Sequence, residues 1–246
     1  KICEKYNIPT ADFRIFQSFE ATKEFLNTTE FPLVIKADGL AAGKGVYICK
    51  NFNDGIVAAE EIFGGKFGGA KHLLIENFLK GEEMSYFVIC DGENYQFLGT
   101  AQDHKRVDEG DLGKNTGGMG CYSPSRLFNQ ELAKKINDKI INPTLKAIKN
   151  LGTAYKGFLY VGLMIKDENP YLVEFNVRMG DPECQTILPL LENDLIEIID
   201  DCCQGKLKKT EIRLNNKKSI CIVLCSKGYP EQYKKNVQIN GLNNLL

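Results

Sequence analysis

Three clusters in this chain carry residue types and spacings that can do chemistry. The first is "KADGLAAGKGV", Lys36 to Val46. Gly39, Gly43 and Gly45 let the backbone approach a ligand closely, and Lys36 and Lys44 supply positive charge, a combination that suits phosphate. The spacing is not GxxxxGK[ST], because Lys44 is followed by Gly45 and Val46 and not by a metal-binding hydroxyl. The second is "VEFNVRMGDPE", the densest polar cluster. If Val173 and Phe175 face a core, strand alternation sends Glu174, Asn176 and Arg178 to the opposite face. A carboxylate beside an amide oxygen suits a hard divalent cation that also binds phosphates. The third pairs "AQDHKR" with "KNTGGMG". Asp103, His104, Lys105 and Arg106 are expected at a strand end, and the amides of Asn115, Thr116, Gly117, Gly118 and Gly120 are expected to form an anion nest, the two together holding a transferring phosphoryl group. His104 alone is assigned no catalytic role.

A weaker signal is "IENFLKGEEMS", which places Glu76 at a strand end, then Phe78 and Leu79, then Gly81 and Glu83. A strand edge can read an adenine edge with its backbone, and a carboxylate a few residues on can accept from ribose hydroxyls. Each stretch has a bland reading in isolation: a hairpin tip with solvated lysines, a charged loop, a solvated strand face. Absences narrow the chemistry further. The sequence holds no GxSxG, HExxH or CxxC, so neither a covalent nucleophile nor zinc is supported and phosphate electrostatics remains.

These residues need a scaffold, and the composition supplies one. With 246 residues, 43% of them hydrophobic, the chain can bury a sizeable core in more than one lobe. A net charge of -1 gives no basic footprint for nucleic acid. No apolar run approaches the ~20 residues of a membrane helix. Nine cysteines are scattered, and the close ones (Cys202 with Cys203, Cys221 with Cys225) lack metal-ligand grouping, so reduced thiols in a cytosol are expected. The chain opens on Lys1 without a signal-like start and stops at "INGLNNLL", which reads as the middle of a longer chain.

Strands are expected at "FPLVIKADG", "GVYICKN" and "HLLIENFL", with a helix in "NDGIVAAEEIFGG" whose Ile56, Ala59, Ile62 and Phe63 recur at helical spacing. "EEMSYFVICDGENYQFLGTAQDHKR" reads as a hairpin around Asp91 and Gly92. "NQELAKKINDKIINPTLKAIKNLG" reads as a helix capped by Asn129, kinked at Pro143 and stopped by Gly152. "GFLYVGLMIKDENPYLVEFNVR" pairs two strands around "KDENP", "CQTILPLLENDLIEIIDDCCQG" is mainly helix, and "KSICIVLCSKGYP" is one more strand. Hairpin-paired strands outnumber crossovers, so the fold class is α+β with antiparallel sheets and not a doubly wound parallel sheet.

Taken in order, "KADGLAAGKGV", "ENFLKGEEMS", "QDHKR", "NTGGMG", "GFLYVGLMI" and "EFNVRMGDPE" closely resemble the glycinamide ribonucleotide synthetase (phosphoribosylamine-glycine ligase) family of ATP-grasp enzymes, from about Ile8 to Tyr229. The resemblance implies an ATP-grasp fold: a small lobe over 1–79 with a leading connector and a lid loop over the triphosphate, a large lobe over 80–210 with the metal and substrate site, and the start of a C-terminal domain over 211–246. A domain before Lys1 and most of the C-terminal one are implied to be missing. It implies ATP and Mg2+ or Mn2+ as cofactors, and glycine and phosphoribosylamine as small-molecule substrates joined in purine biosynthesis, with no nucleic acid or membrane partner, by a cytoplasmic monomer.

Carried over residue by residue, the resemblance makes Lys36, Gly43 and Lys44 phosphate contacts, Glu76, Phe78 and Leu79 the adenine pocket and Glu83 the ribose ligand. Glu174 and Asn176 become the metal ligands. Lys105, Arg106 and Arg178 take catalytic roles, and Asp103, Asn115, Thr116, Gly117, Gly118, Asp181 and Glu183 bind substrate. Many ATP-grasp enzymes hold a further acidic ligand on the preceding strand, where this chain has Leu163 and Met164. The rival readings are another ATP-grasp carboxylate-amine ligase or carboxylase, a nucleotide-binding module without catalysis, and a structural interaction domain.

Overall fold

Leu33 and Ile35 on one strand and Leu73 and Ile75 on its neighbour point to the same side, because side chains alternate along a strand, and all four are buried. In the computed structural model, which describes residues 1–39, 45–110 and 112–241, they form the centre of the first of two units. That unit comprises Lys1–Glu82 with Met164–Val173, and the second comprises Glu83–Leu163 with Glu174–Leu246.

The first unit opens with α1 (Ile2–Lys5), β1 (Phe13–Phe16) and α2 (Phe19–Leu26), the last capped by Ser18. Then come β2 (Leu33–Ala37), β3 (Val46–Cys49), α3 (Phe52–Phe63) and β4 (Leu73–Asn77). The strands form an antiparallel sheet in the order β1-β4-β2-β3. Asn51 caps α3 by accepting from the Asp54 amide at 3.0 Å. Gly55, Ala58, Ala59 and Ile62 of α3 are buried at helical spacing, and the last three join Leu26, Leu33, Ile35, Leu73 and Ile75 in one core. Both strands expected to flank the glycine loop are therefore present, paired from Leu33–Cys49 to Lys36–Val46.

The second sheet runs β10-β7-β6-β5-β8-β9. Its strands are β5 (Glu82–Asp91), β6 (Tyr95–Asp108), β7 (Leu112–Ser123), β8 (Lys156–Lys166), β9 (Asn169–Asn176) and β10 (Ser219–Ile222). The recorded β5/β6, β6/β7 and β7/β10 pairings are antiparallel, as the α+β reading requires. β8 turns into β9 through Asp167 and Glu168 at φ of 49° and 59°, the left-handed pair that a tight hairpin needs. The strand expected in "KSICIVLCSKGYP" occupies only Ser219–Ile222, at the sheet edge.

Helices pack on this sheet. α4 (Gln130–Ile136) is capped by Asn129 as expected and passes through a π segment, Asn137–Ile141, into α5 (Asn142–Asn150), where Pro143 sits in the first turn. Pro143 has no N–H to give, and the wider π turns accommodate that without ending the helix. The helix expected over "CQTILPLLENDLIEIIDDCCQG" is two: α6 (Glu183–Ile187), ending in a 3-10 turn at Leu188–Leu190, and α7 (Leu195–Gln204). Pro189 interrupts the first, and Asp194 starts the second by accepting from the Ile196 amide at 2.7 Å. Phe87, Ile89, Leu98, Ala101, Cys121, Tyr160, Ile187, Ile198, Cys202 and Leu207 form the core of this unit. All nine cysteines are free. Among the described residues no helix is long and apolar enough to cross a membrane.

Asp91 holds the β5–β6 turn. Its Oδ1 accepts from the amides of Glu93 and Asn94 at 3.0 and 2.7 Å, and its Oδ2 from that of Leu207 at 3.0 Å. Burial works to raise its pKa, but these amide donors outweigh it and hold the carboxyl below its usual range. Because the folded pKa is depressed, the stability Asp91 contributes is present above the unfolded value of about 3.9 and is lost as pH falls through the folded pKa. Asp91→Ala strands the Leu207 amide and is expected to cost about 3 kcal/mol in a denaturant titration at pH 7, and progressively less as pH falls below about 3.9.

Candidate functional site

Within the first unit, Lys36 sits on β2 diagonal to Glu76 on β4, since Lys36 faces Leu74 and Val34 faces Glu76 across the pair. The Lys36 Nζ lies 2.7 Å from Glu76 Oε2 and donates to the Val173 carbonyl at 3.3 Å. The two side chains are 19% and 14% exposed, so this is a sheltered, fixed cation and not a solvated loop lysine. Phe78, at 39% exposure, and half-buried Leu79 follow the end of β4. A cavity of about 440 Å³ at the foot of the glycine loop is bordered by Asp38, Gly39, Phe67 and His72. Gly43 and Lys44 lie outside the described residues.

Within the second unit, Asp103, Lys105 and Arg106 stand inside β6 and Asn115 to Gly118 inside β7, so both stretches belong to a strand pair in which Asp103 faces Cys121 and Arg106 faces Asn115. This corrects the expected anion nest: a strand spreads its amides, and two of them have partners. The Gly117 amide donates to the Tyr229 hydroxyl at 3.0 Å, and the Gly118 amide to Thr116 Oγ1 at 3.0 Å. Thr116 Oγ1 in turn donates to the Lys105 carbonyl at 2.8 Å. Arg106 donates to the Gly113 carbonyl at 2.8 Å.

Glu183 is the buried anchor of this region, only 4% exposed at the start of α6. Its Oε1 accepts from Ser85 Oγ at 3.0 Å, and Ser85 Oγ also lies 3.3 Å from the Tyr160 hydroxyl. A Cβ on Gly180 would collide with the Glu183 carboxylate, so glycine there gives that group its room. Asp103 is pushed up to about 7, first by burial and then by the charge of Glu183, with Lys105 opposing. Lys105 lies 3.4 Å from Glu83 Oε2. Burial works against the Lys105 charge, but Glu83, Tyr160, Asp103 and Glu174 outweigh it and hold the ammonium above its ordinary range. It therefore stays cationic. Burial pushes the Tyr160 phenol up to about 12, so its hydroxyl stays neutral.

Glu174 and Asn176 lie on one face of β9, the first exposed and the second half-buried, with Asn176 Nδ2 donating to Glu174 Oε1 at 3.1 Å. Turning the amide over exchanges nitrogen for oxygen and leaves two hard oxygen donors side by side, which fits a magnesium-type ion. Among the described residues no group of three or more His, Cys, Asp or Glu can hold a metal, and Leu163 is buried where a further acid would fall. Such an ion would take its other ligands from phosphates and water. Arg178 does not share that strand face. β9 ends at Asn176, and the exposed guanidinium donates to the Met179 carbonyl at 2.8 Å, because the chain already bends towards the Gly180–Pro182 turn. Exposed Asp181 accepts from Gln185 at 2.7 Å.

Ser85, Tyr160 and Tyr229 were not predicted. Ser85 carried a signal, a small polar residue inside the otherwise large and mostly apolar run "MSYFVIC", whereas Tyr160 in "GFLYVGLMI" looks like core and Tyr229 is 112 residues from its Gly117 partner.

Residues 1–184 match the family described as phosphoribosylglycinamide synthetase, ATP-grasp (A) domain. The phosphoribosylamine-glycine ligase of Mesorhizobium japonicum is 42% identical over 242 residues, covering 98% of this chain and 57% of that protein. The chloroplastic phosphoribosylamine-glycine ligase of Arabidopsis thaliana is 43% identical over 245 residues, covering 98% of this chain and 46% of that one. The crystal structure of the Thermotoga maritima phosphoribosylamine-glycine ligase superposes with a TM-score of 0.87 at 36% identity, over 95% of this chain and 59% of that one. The chain thus spans about half the length of the relatives it matches. A matched family over three quarters of its residues, the antiparallel α+β architecture and relatives above 40% identity lead to one conclusion: the chain belongs to the phosphoribosylglycinamide synthetase ATP-grasp family.

Proposed function

We propose that the protein is an ATP-dependent ligase that joins glycine to 5-phosphoribosylamine through glycyl phosphate, giving glycinamide ribonucleotide, ADP and phosphate in purine biosynthesis. The observation that carries this reading is the cluster of Asp103, Lys105 and Glu183, built on strand and helix within the second unit and inside the residues that match the family. A carboxylate resists attack by an amine because it would have to expel oxide, so activation as an acyl phosphate must come first. When bound, magnesium-ATP supplies the phosphoryl group and offsets its charge.

The chain's own residues bind and orient. Lys36, already a fixed cation on β2, meets phosphate, with Gly43 and Lys44 of the glycine-rich stretch that follows it in sequence. Glu76, Phe78 and Leu79 line the adenine, and Glu83 accepts from the ribose. Glu174 and Asn176 hold the metal. Lys105, Arg106 and Arg178 offset charge on the transferring group. Asn115, Thr116, Gly117, Gly118, Asp181 and Glu183 bind the substrates. No protein nucleophile is required for either step, in agreement with the motifs the chain lacks. A cytoplasmic location and a monomeric state belong to the same proposal.

The test is ADP release from magnesium-ATP by the full-length protein, with glycine and phosphoribosylamine together and each alone. Release that needs both, with other amino acids inert, is the expected result. Release independent of phosphoribosylamine, or none from a folded protein, overturns it.

A further inference from the structure

Asp103 is out of place by ordinary bookkeeping. Its Oδ1 is sealed from solvent and has no hydrogen-bond partner among the described residues, a state that costs free energy unless a donor arrives. The His104 backbone amide bonds to this carboxyl and works to lower its pKa, yet Oδ1 is left unpaired. On β7, opposite Asp103, stands Cys121, buried and raised to about 12 by burial first, so it remains a neutral thiol. Gly118, also on β7, is the other close neighbour, and a Cβ there would come within 3.1 Å of Asp103 Oδ1, so the glycine leaves space beside the carboxyl. From α6 comes Glu183, held by Ser85 and bearing on Asp103 as a like charge; from β5 comes Glu83, also negative; Lys105, on its own strand, opposes them as a cation. Two carboxylates outweigh one ammonium. The carboxyl is therefore a poor anion at rest and a good acceptor for an incoming N–H.

The proposed reaction needs such an acceptor. When the amine nitrogen attacks the acyl phosphate, a C–N bond forms, the C–O bond to phosphate breaks with its electron pair leaving on phosphate, and the nitrogen must shed one proton. We propose that the Asp103 carboxylate receives the N–H of the attacking amine and accepts that proton, and that Ser85 and Tyr160 are positioning residues that hold the Glu183 carboxyl in place beside it. The proton then passes to solvent, and Asp103 returns to the carboxylate for the next turnover. A folded pKa of about 7 matches this task, since a base works best when its pKa lies near the working pH. The inference rests on the ligase reading and deepens it.

The experiment is the pH profile of kcat/KM for the amine substrate in the full-length enzyme. In the wild type it is expected to rise with pH through an apparent pKa of about 7 and level off. Asp103→Asn keeps the shape of the side chain and removes the buried charge, so its melting temperature at pH 8 is expected to equal or exceed the wild type's. Its kcat/KM should fall on the order of 10³-fold and lose the limb. Ser85→Ala removes the hydroxyl that holds the Glu183 carboxyl and frees it to turn away, so its like charge bears less on Asp103 and the limb should move to lower pH. A limb that persists in Asp103→Asn belongs to the substrate amine or to another group, and overturns the proposal. So does a variant whose loss lies wholly in KM with the profile unchanged, since Asp103 would then only bind. Wild-type ADP release separates the two readings: release that needs both glycine and phosphoribosylamine keeps the ligase standing whatever the Asp103→Asn profile shows, and its absence from the folded wild type overturns the ligase reading itself.

Discussion

Glu174→Ala is expected to reduce magnesium-dependent ADP release by more than ~10²-fold while leaving the denaturation midpoint where it was. The asymmetry follows from where the side chain stands. Glu174 is exposed, and its one recorded hydrogen bond, from Asn176, is made at the surface, so removing it uncovers no core and strands no buried donor. Its value lies in being one of two adjacent oxygen donors, with buried Leu163 unable to substitute. Asn176→Ala should show a smaller loss of the same kind, and raising the metal concentration should recover part of it, because a ligand lost from the protein weakens affinity before it removes the chemistry. Titration of ADP release against magnesium for the three proteins decides the matter. Wild-type activity in Glu174→Ala would sink the metal assignment.

The largest structural effect is expected at Gly118. It lies at φ +120°, where residues with a side chain are strained, and a Cβ there would collide with the Pro182 ring and press on Asp103 Oδ1 and the Asp181 carbonyl. Pro182 belongs to the turn that launches α6 and Glu183, so neither side can yield without moving the buried acid. Gly118→Ala should cost on the order of 3 kcal/mol. Gly117→Ala is the control one residue away. Its Cβ would meet only the Tyr229 hydroxyl, at 3.3 Å, and should cost under about 1 kcal/mol. Parallel denaturant titrations of the two variants check this; equal losses would mean that the close approach of β7 to the Asp181–Pro182 turn does not matter.

Much of the scaffold was legible because it is written in local chemistry. The period-two pattern of Leu33, Ile35, Leu73 and Ile75, the cap at Asn129 and the turn at Asp91 each depend on residues within a few positions of one another, so they could be read off directly. Departures arose where local signals compete. "NTGGMG" has the composition of a loop, yet Asn115 and Gly120 at its ends pair with β6, the Gly117 and Gly118 amides between them find hydroxyl partners, and it became part of a strand. Arg178 continued an alternation that the glycine-proline turn had already ended.

The candidate site divides along the same line. The sequence by itself determined which residue types were at hand: a lysine beside a glycine loop, a carboxylate and an amide two apart on one strand face, an acid and two cations in "QDHKR". Only the tertiary structure decided what each of them faces. It set Lys36 against Glu76, buried Glu183 beside Ser85 and Tyr160, and left Asp103 Oδ1 with no partner among the described residues. The reason is electrostatic. A carboxyl's affinity for a proton depends on solvent exclusion and on charges a few ångströms away, and Asp103 and Glu183 are 80 positions apart in the chain; only the fold brings their charges to bear on one another.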